Sequence, residues 1–177
     1  MKSSFLVHPI PPLYDEASRV LILGSFPSPK SREAQFFYGH PQNRFWKVMA
    51  RVLDWHGETG GCPAGGPVFV PASTEEKRAM LLSNHVALWD TIASCEITGA
   101  SDSSITNVTP NDLSPILETA KIRAVFCNGA ASHKLYMKYI FPVTGIKPVK
   151  LPSTSPANAA WSVERLTEAW SMIRGYL

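Results

Sequence analysis

The chain has no long hydrophobic run. Val20-Leu21-Ile22-Leu23 is typical of its apolar stretches, far short of the roughly 18 residues that a spanning helix needs. Phe5-Leu6-Val7-His8-Pro9 is likewise too short for the core of a secretion signal. A cytoplasmic protein with no membrane partner is expected. Cysteine is also scarce: Cys62, Cys95 and Cys127 are 3 in number and far apart. They suit neither a disulfide framework nor a CxxC metal pair, and an iron–sulfur cluster normally takes four thiolates. Reduced thiols, no metal and no cofactor follow as expectations.

Charge is sparse, at 18% of residues, and locally one sign is missing. Thr119 to Val163 carries 6 lysines and arginines and no acid, and Arg19 to Arg51 has 6 basic residues against Glu33 alone. Between them, Asp54 to Glu118 holds 9 acids opposed by Lys77 and Arg78. A fold that joins the two basic segments would make a face suited to a polyanion such as DNA; otherwise this is ordinary surface scatter. At 177 residues, one domain spanning 1–177 is expected, large enough to bury a substantial core.

Four short apolar runs look like buried strands: Arg19 to Gly24, Val86 to Asp90, Ile122 to Cys127, and Lys147 to Leu151, the last weakened by Pro148. Helical periodicity covers Arg44 to Leu53, Thr74 to Ser83, Ser132 to Ile140 and Val163 to Ile173. This alternation predicts an α/β fold, a three-layer α/β/α sandwich around a central four-stranded, mostly parallel sheet. The glycine-rich stretch Gly57 to Pro67 lacks a following GK[ST] and reads as a surface loop. In such sheets ligands bind beyond the carboxyl ends of the strands, so chemistry is sought after Leu23, Trp89, Cys127 and Leu151.

After the first strand comes Gly24-Ser25-Phe26-Pro27-Ser28-Pro29-Lys30-Ser31, followed by Phe36-Phe37-Tyr38-Gly39-His40-Pro41-Gln42-Asn43-Arg44-Phe45-Trp46. Glycine, proline and small hydroxyls permit close approach of a phosphate, and the aromatics offer faces for a planar base. Phe45 and Trp46 read as core. Tyr38 and Asn43 read either as ligand-facing or as packing and capping residues. After the last strand, Leu151-Pro152-Ser153-Thr154-Ser155-Pro156-Ala157-Asn158 could grip a backbone phosphate through hydroxyls and N–H groups, or simply form a capped loop.

Together these segments resemble the uracil-DNA glycosylase superfamily, in its branch of hypoxanthine (deoxyinosine) glycosylases related to the mismatch-specific uracil/thymine enzymes. GSFPSPKS is similar to the first motif, YGHPQNRFWKV to its HP-x-NRFW continuation, and LPSTSPAN stands where the second motif stands. Mismatch-type enzymes carry a GINPG-like first motif whose asparagine positions water; Phe26 occupies that place, and Ser153 stands where relatives often have histidine or asparagine. Both departures are similar to the deoxyinosine branch. That resemblance implies Asn43 as the catalytic residue. It implies base contacts from Gly24, Ser25, Phe26, Tyr38, Asn43 and Asn128, and DNA contacts from Ser28, Lys30, Ser153, Ser155, Ala157 and Asn158.

Its implied activity is extrusion of a deaminated base from DNA and hydrolysis of the N-glycosidic bond by a nucleoid-associated monomer. Hypoxanthine presents O6 as acceptor and N1–H as donor, and an amide such as Asn43 can match that pair with one donor and one acceptor. A Schiff-base lyase through Lys30 is disfavoured, because nothing in the surrounding sequence marks it as an activated amine, and His40 before Pro41 reads as structural. Uracil or mismatched thymine as substrate, and a non-catalytic nucleotide- or DNA-binding module, remain alternatives.

Overall fold

The computed structural model describes residues 2–57, 66–99 and 102–177. Cys62 and most of the Gly57 to Pro67 loop lie outside them. The expected sheet is present and wholly parallel. It contains β2 (Val20–Gly24), β3 (Val86–Asp90), β6 (Ala124–Asn128) and β7 (Val149–Leu151), in the order β3-β2-β6-β7. Alternate residues of these strands enter opposite cores. Val20, Ile22, Leu88 and Phe126 face α2 (Phe45–Val52), α3 (Thr74–Ser83) and α7 (Val163–Trp170). Leu21, Leu23, Val125 and Cys127 face α4 (Ser114–Thr119) and the helical segment begun by α5 (Ala130–Leu135). Burial on both faces explains why the strand sequences are continuously apolar.

A second sheet was not expected. β1 (Ser4–Val7), β4 (Ile92–Ile97) and β5 (Thr106–Pro110) form an antiparallel three-stranded sheet in the order β1-β4-β5. β4 begins one residue after β3 ends, so Thr91 is the corner between the sheets, its N–H donating to Gly24 O. Asn111 braces that corner by donating to Asp90 O and Ile92 O at 2.9 and 3.1 Å. β1 thereby brings the chain's N-terminal segment toward the end of β3.

The helix from Ser132 to Ile140 differs from its expected form. α5 passes into a π-helical turn, Tyr136–Ile140, and then into α6, Phe141–Thr144. Pro142 has no N–H to give the ordinary i→i−4 bond, and Phe141 N–H bonds instead to Tyr136 O, five residues back. α1 (Pro29–Ala34) was also unread from sequence; it starts on a proline and is capped by Ser28. Cys95 and Cys127 are both buried, and burial pushes the Cys127 thiol up to about 12. Among the described residues no helix is long and apolar enough to cross a membrane.

Candidate active site

The carboxyl ends of β2, β3 and β6 deliver Gly24, Asp90 and Asn128 to one cleft of about 520 Å³, closed by the segments around Tyr38, Asn43 and 153–157. This volume suits a single nucleoside-sized guest. Gly24 forms its floor: a Cβ there would stand 2.3 Å from Asp90 Oδ1 and 3.1 Å from the Tyr38 hydroxyl. No other residue type permits that approach without displacing the carboxylate.

Asn43 is set at the entrance to α2. Its Oδ1 accepts from Phe45 N–H and from the Thr154 hydroxyl, both at 2.9 Å. A backbone N–H can only donate, so the amide orientation is determined and Nδ2 is left without a partner among the described residues. The residue therefore both closes a side-chain turn onto the first N–H of α2 and lines the cleft as a donor. The expected two-way match to hypoxanthine needs correction: with its carbonyl occupied, Asn43 offers a donor alone.

Thr154, absent from the sequence-derived site, is fully buried and ties the site together. Its N–H donates to Asn128 Oδ1 at 3.0 Å, its hydroxyl accepts from Asn128 Nδ2 at 3.0 Å, and the same hydroxyl donates to Asn43. Asn128 Nδ2 also donates to the Tyr38 hydroxyl at 3.1 Å. Asn128 thus lines the cleft with both donor hydrogens engaged inside the protein. Tyr38 stacks on Phe45 with ring centroids 4.0 Å apart, and holds φ at 52°, a left-handed conformation costly for an aromatic residue.

Arg44 binds the two motif segments to each other. Its guanidinium donates to the carbonyls of Thr154, Ser155, Asn158 and Trp161, and its backbone N–H donates to Thr154 O. Trp170 Nε1 holds Pro152 O from the other side at 2.9 Å. Within the loop, Ser153 Oγ accepts from Ser155 N–H and Ser155 Oγ accepts from Ala157 N–H. Each hydroxyl keeps its own proton for an outside acceptor. Asn158 folds inward onto Ser153 O, while Ala157 is exposed at the rim.

Ser25, Phe26, Ser28 and Lys30, all expected contacts, also line the cleft. Phe26 is 9% exposed and packs in a small core with Ile92 and Cys95, its ring edge-on to His8. Ser28 lines the cleft, but its hydroxyl caps α1 by accepting from Ser31 N–H. Lys30 lies at the rim, paired with Glu33 at 3.3 Å, and Ser25 lines the floor beside Gly24. His40 Nδ1 accepts from Gln42 N–H, a turn-stabilising role in line with its structural reading.

This arrangement, a parallel-sheet cleft walled by the two motif segments, has counterparts among known proteins. Residues 11–174 match the Uracil DNA glycosylase superfamily. The chain belongs to that superfamily. A Hypoxanthine DNA glycosylase of Methanosarcina acetivorans is 30% identical over 164 residues, covering 92% of this chain and 94% of the relative. Another of the same name, from Methanosarcina barkeri, is 28% identical and covers 84% and 85% respectively. A solution NMR structure of a candidate uracil DNA glycosylase from Methanosarcina acetivorans aligns with a TM-score of 0.74 at 29% identity, over 95% of this chain and 96% of that one.

Proposed function

We propose that this superfamily member is a monofunctional glycosylase for hypoxanthine in DNA, with uracil as a secondary substrate, the whole chain acting as one unit and as a monomer in the nucleoid. The observation that carries this reading is the free Nδ2 of Asn43, held toward the cleft by two bonds to its own Oδ1. The similarity to two relatives named for hypoxanthine supports the choice of base.

Deamination of adenine replaces an exocyclic amino donor with the O6 acceptor. Asn43 Nδ2 donates to that oxygen and would oppose an amino group. As the C1′–N9 bond breaks, its electron pair leaves on the base and the sugar takes oxocarbenium character. Charge develops on O6, so a preorganised donor there favours the transition state over the ground state. Water adds hydroxide to C1′ and the remaining proton ends on the base. Tyr38, which lines the cleft, stacks on the extruded ring, and Ser153 and Ser155 donate to flanking phosphates.

A labelled duplex containing one deoxyinosine, incubated with the protein and then treated with hot alkali, tests this. Strand scission after alkali, and none before it, is expected, in EDTA as in buffer. Retention of the DNA without alkali-labile sites would instead make the protein a binder, and scission without alkali would restore the lyase.

A further inference from the structure

Asp90 is the one carboxylate lining the cleft among the described residues, and the motifs do not account for it. Its side chain is 7% exposed, and its Oδ2 lies 2.7 Å from Nε2 of His8, itself 3% exposed. Ile10 N–H donates to His8 Nδ1 at 3.1 Å. That bond requires an unprotonated Nδ1, so the ring proton sits on Nε2 and is donated to Asp90. Edge-on contacts with Phe26 at 5.8 Å and Trp89 at 6.2 Å fix the imidazole plane. With Oδ2 so occupied, Oδ1 is turned over Gly24 into the cleft, where glycine alone leaves room for it.

We propose that His8 is a positioning residue of the active site, orienting Asp90 so that Oδ1 accepts the ring N–H of a deaminated base. This rests on the reading of the cleft as a base pocket. Asp90 offers acceptors alone and Asn43 Nδ2 donors alone, and an adjacent N–H and C=O is the pair that deamination creates, at N1 and O6 of hypoxanthine or N3 and O4 of uracil. Adenine and cytosine reverse both positions, a bare ring nitrogen against the carboxylate and an amino group against the amide. Rejection of an unmodified base thus comes from leaving polar groups unpaired or opposed. The superfamily match begins at residue 11, so His8 lies outside it, and strand β1 with the turn after it becomes part of the specificity apparatus.

The test measures binding of duplexes carrying 2′-fluoro-deoxyinosine, which resists hydrolysis, against matched duplexes with 2′-fluoro-deoxyadenosine and with a tetrahydrofuran abasic analogue. Asp90→Asn is the informative variant: His8 Nε2–H still requires an oxygen, so the new amide turns its NH2 to the cleft and the acceptor becomes a donor. Selectivity for inosine over adenosine is expected to fall roughly 10- to 100-fold in Asp90→Asn and His8→Ala. Abasic-analogue affinity should stay unchanged, and His8→Gln, whose Nε2 can still donate, should recover most of the selectivity. Wild-type selectivity in Asp90→Asn overturns the proposal, as does an equal loss of abasic-analogue binding, which would mark a structural role. A wild-type protein that binds inosine selectively but never excises it refutes the hydrolase reading and leaves this inference standing; one that excises it while Asp90→Asn stays selective does the reverse.

Discussion

Asn43 and Tyr38 differ in what their polar atoms have left to offer. Asn43→Asp keeps the acceptor for Phe45 N–H and Thr154 but replaces the donor facing the cleft with an anionic oxygen. Its melting temperature should match that of the native protein while single-turnover excision of hypoxanthine falls roughly 10²- to 10³-fold, the usual effect of losing one donor to developing charge. Native rates in that variant would dismiss the donor role. Asn43→Ala is a poorer probe, since it also removes the acceptor of Phe45 N–H and of the buried Thr154 hydroxyl, at about 1 kcal/mol or more. For Tyr38, the sequence suggests stacking alone, so that Tyr38→Phe would be innocuous. The hydroxyl accepts from Asn128 Nδ2, and the phenylalanine variant leaves that donor short of a partner, at about 1 kcal/mol or more. Tyr38→Ala should lose a further 1–3 kcal/mol or so of base stacking. Binding of the non-cleavable inosine duplex to the three proteins separates these contributions, and equal affinity in native and Tyr38→Phe would remove the hydroxyl from the site.

Between elements, the decisive connection is Arg44, which leaves the mouth of α2 to hold four carbonyls of the loop before α7. Lysine has neither the fork geometry nor enough donors to replace it. Arg44→Lys should therefore cost at least about 2 kcal/mol in urea unfolding, and speed hydrogen exchange of the amides at 153–161 without speeding that of β2 or β6. Unchanged exchange in the loop would show that it holds its shape by its own turns. The string HPQNRFW was legible as a motif, but its arginine's partners lie 110 or more residues away, a separation no local pattern reveals. The parallel strands were legible because burial on both faces makes them continuous runs of branched apolar residues. β1 and β5 are mostly exposed, so they carry no such signal, and β4 was hidden by beginning one residue after β3. The same gap concealed the pair at the strand end: Asp90 closes a run whose end the strand rule marks, whereas nothing local to His8 announces a partner 82 residues on. α1 and α4 are 6 residues each, below the length at which helical periodicity can be read.

For the whole molecule, the fold does join the two basic segments found in the sequence, since β2 lies beside β6 and Arg44 is embedded in the 154–161 loop. One of those charges is consequently spent inside the protein, and on the proposed reading phosphate contact would fall to the loop hydroxyls, N–H groups and peripheral lysines. Binding should accordingly be independent of sequence and weaken with salt. The loop that would fill the space left by an extruded nucleotide is small: Asn158 is folded back onto Ser153 O and its own carbonyl is held by Arg44, leaving Ala157 as the projecting side chain at the cleft rim. A methyl group holds an opened base stack poorly, so extrusion should depend on how loosely the substrate is already stacked, and unpairing costs least for a mispair or a single strand. Excision of hypoxanthine opposite cytosine, its most stable pairing, should be slowest, with the thymine mispair and single-stranded DNA faster. Ala157→Leu, a substitution at an exposed site with little bearing on stability, should raise the rate opposite cytosine more than on single-stranded DNA and so narrow the gap. The measurement is single-turnover excision by both proteins on all three substrates. Equal native rates would mean that extrusion does not limit the reaction and that the size of the side chain at 157 is immaterial to it.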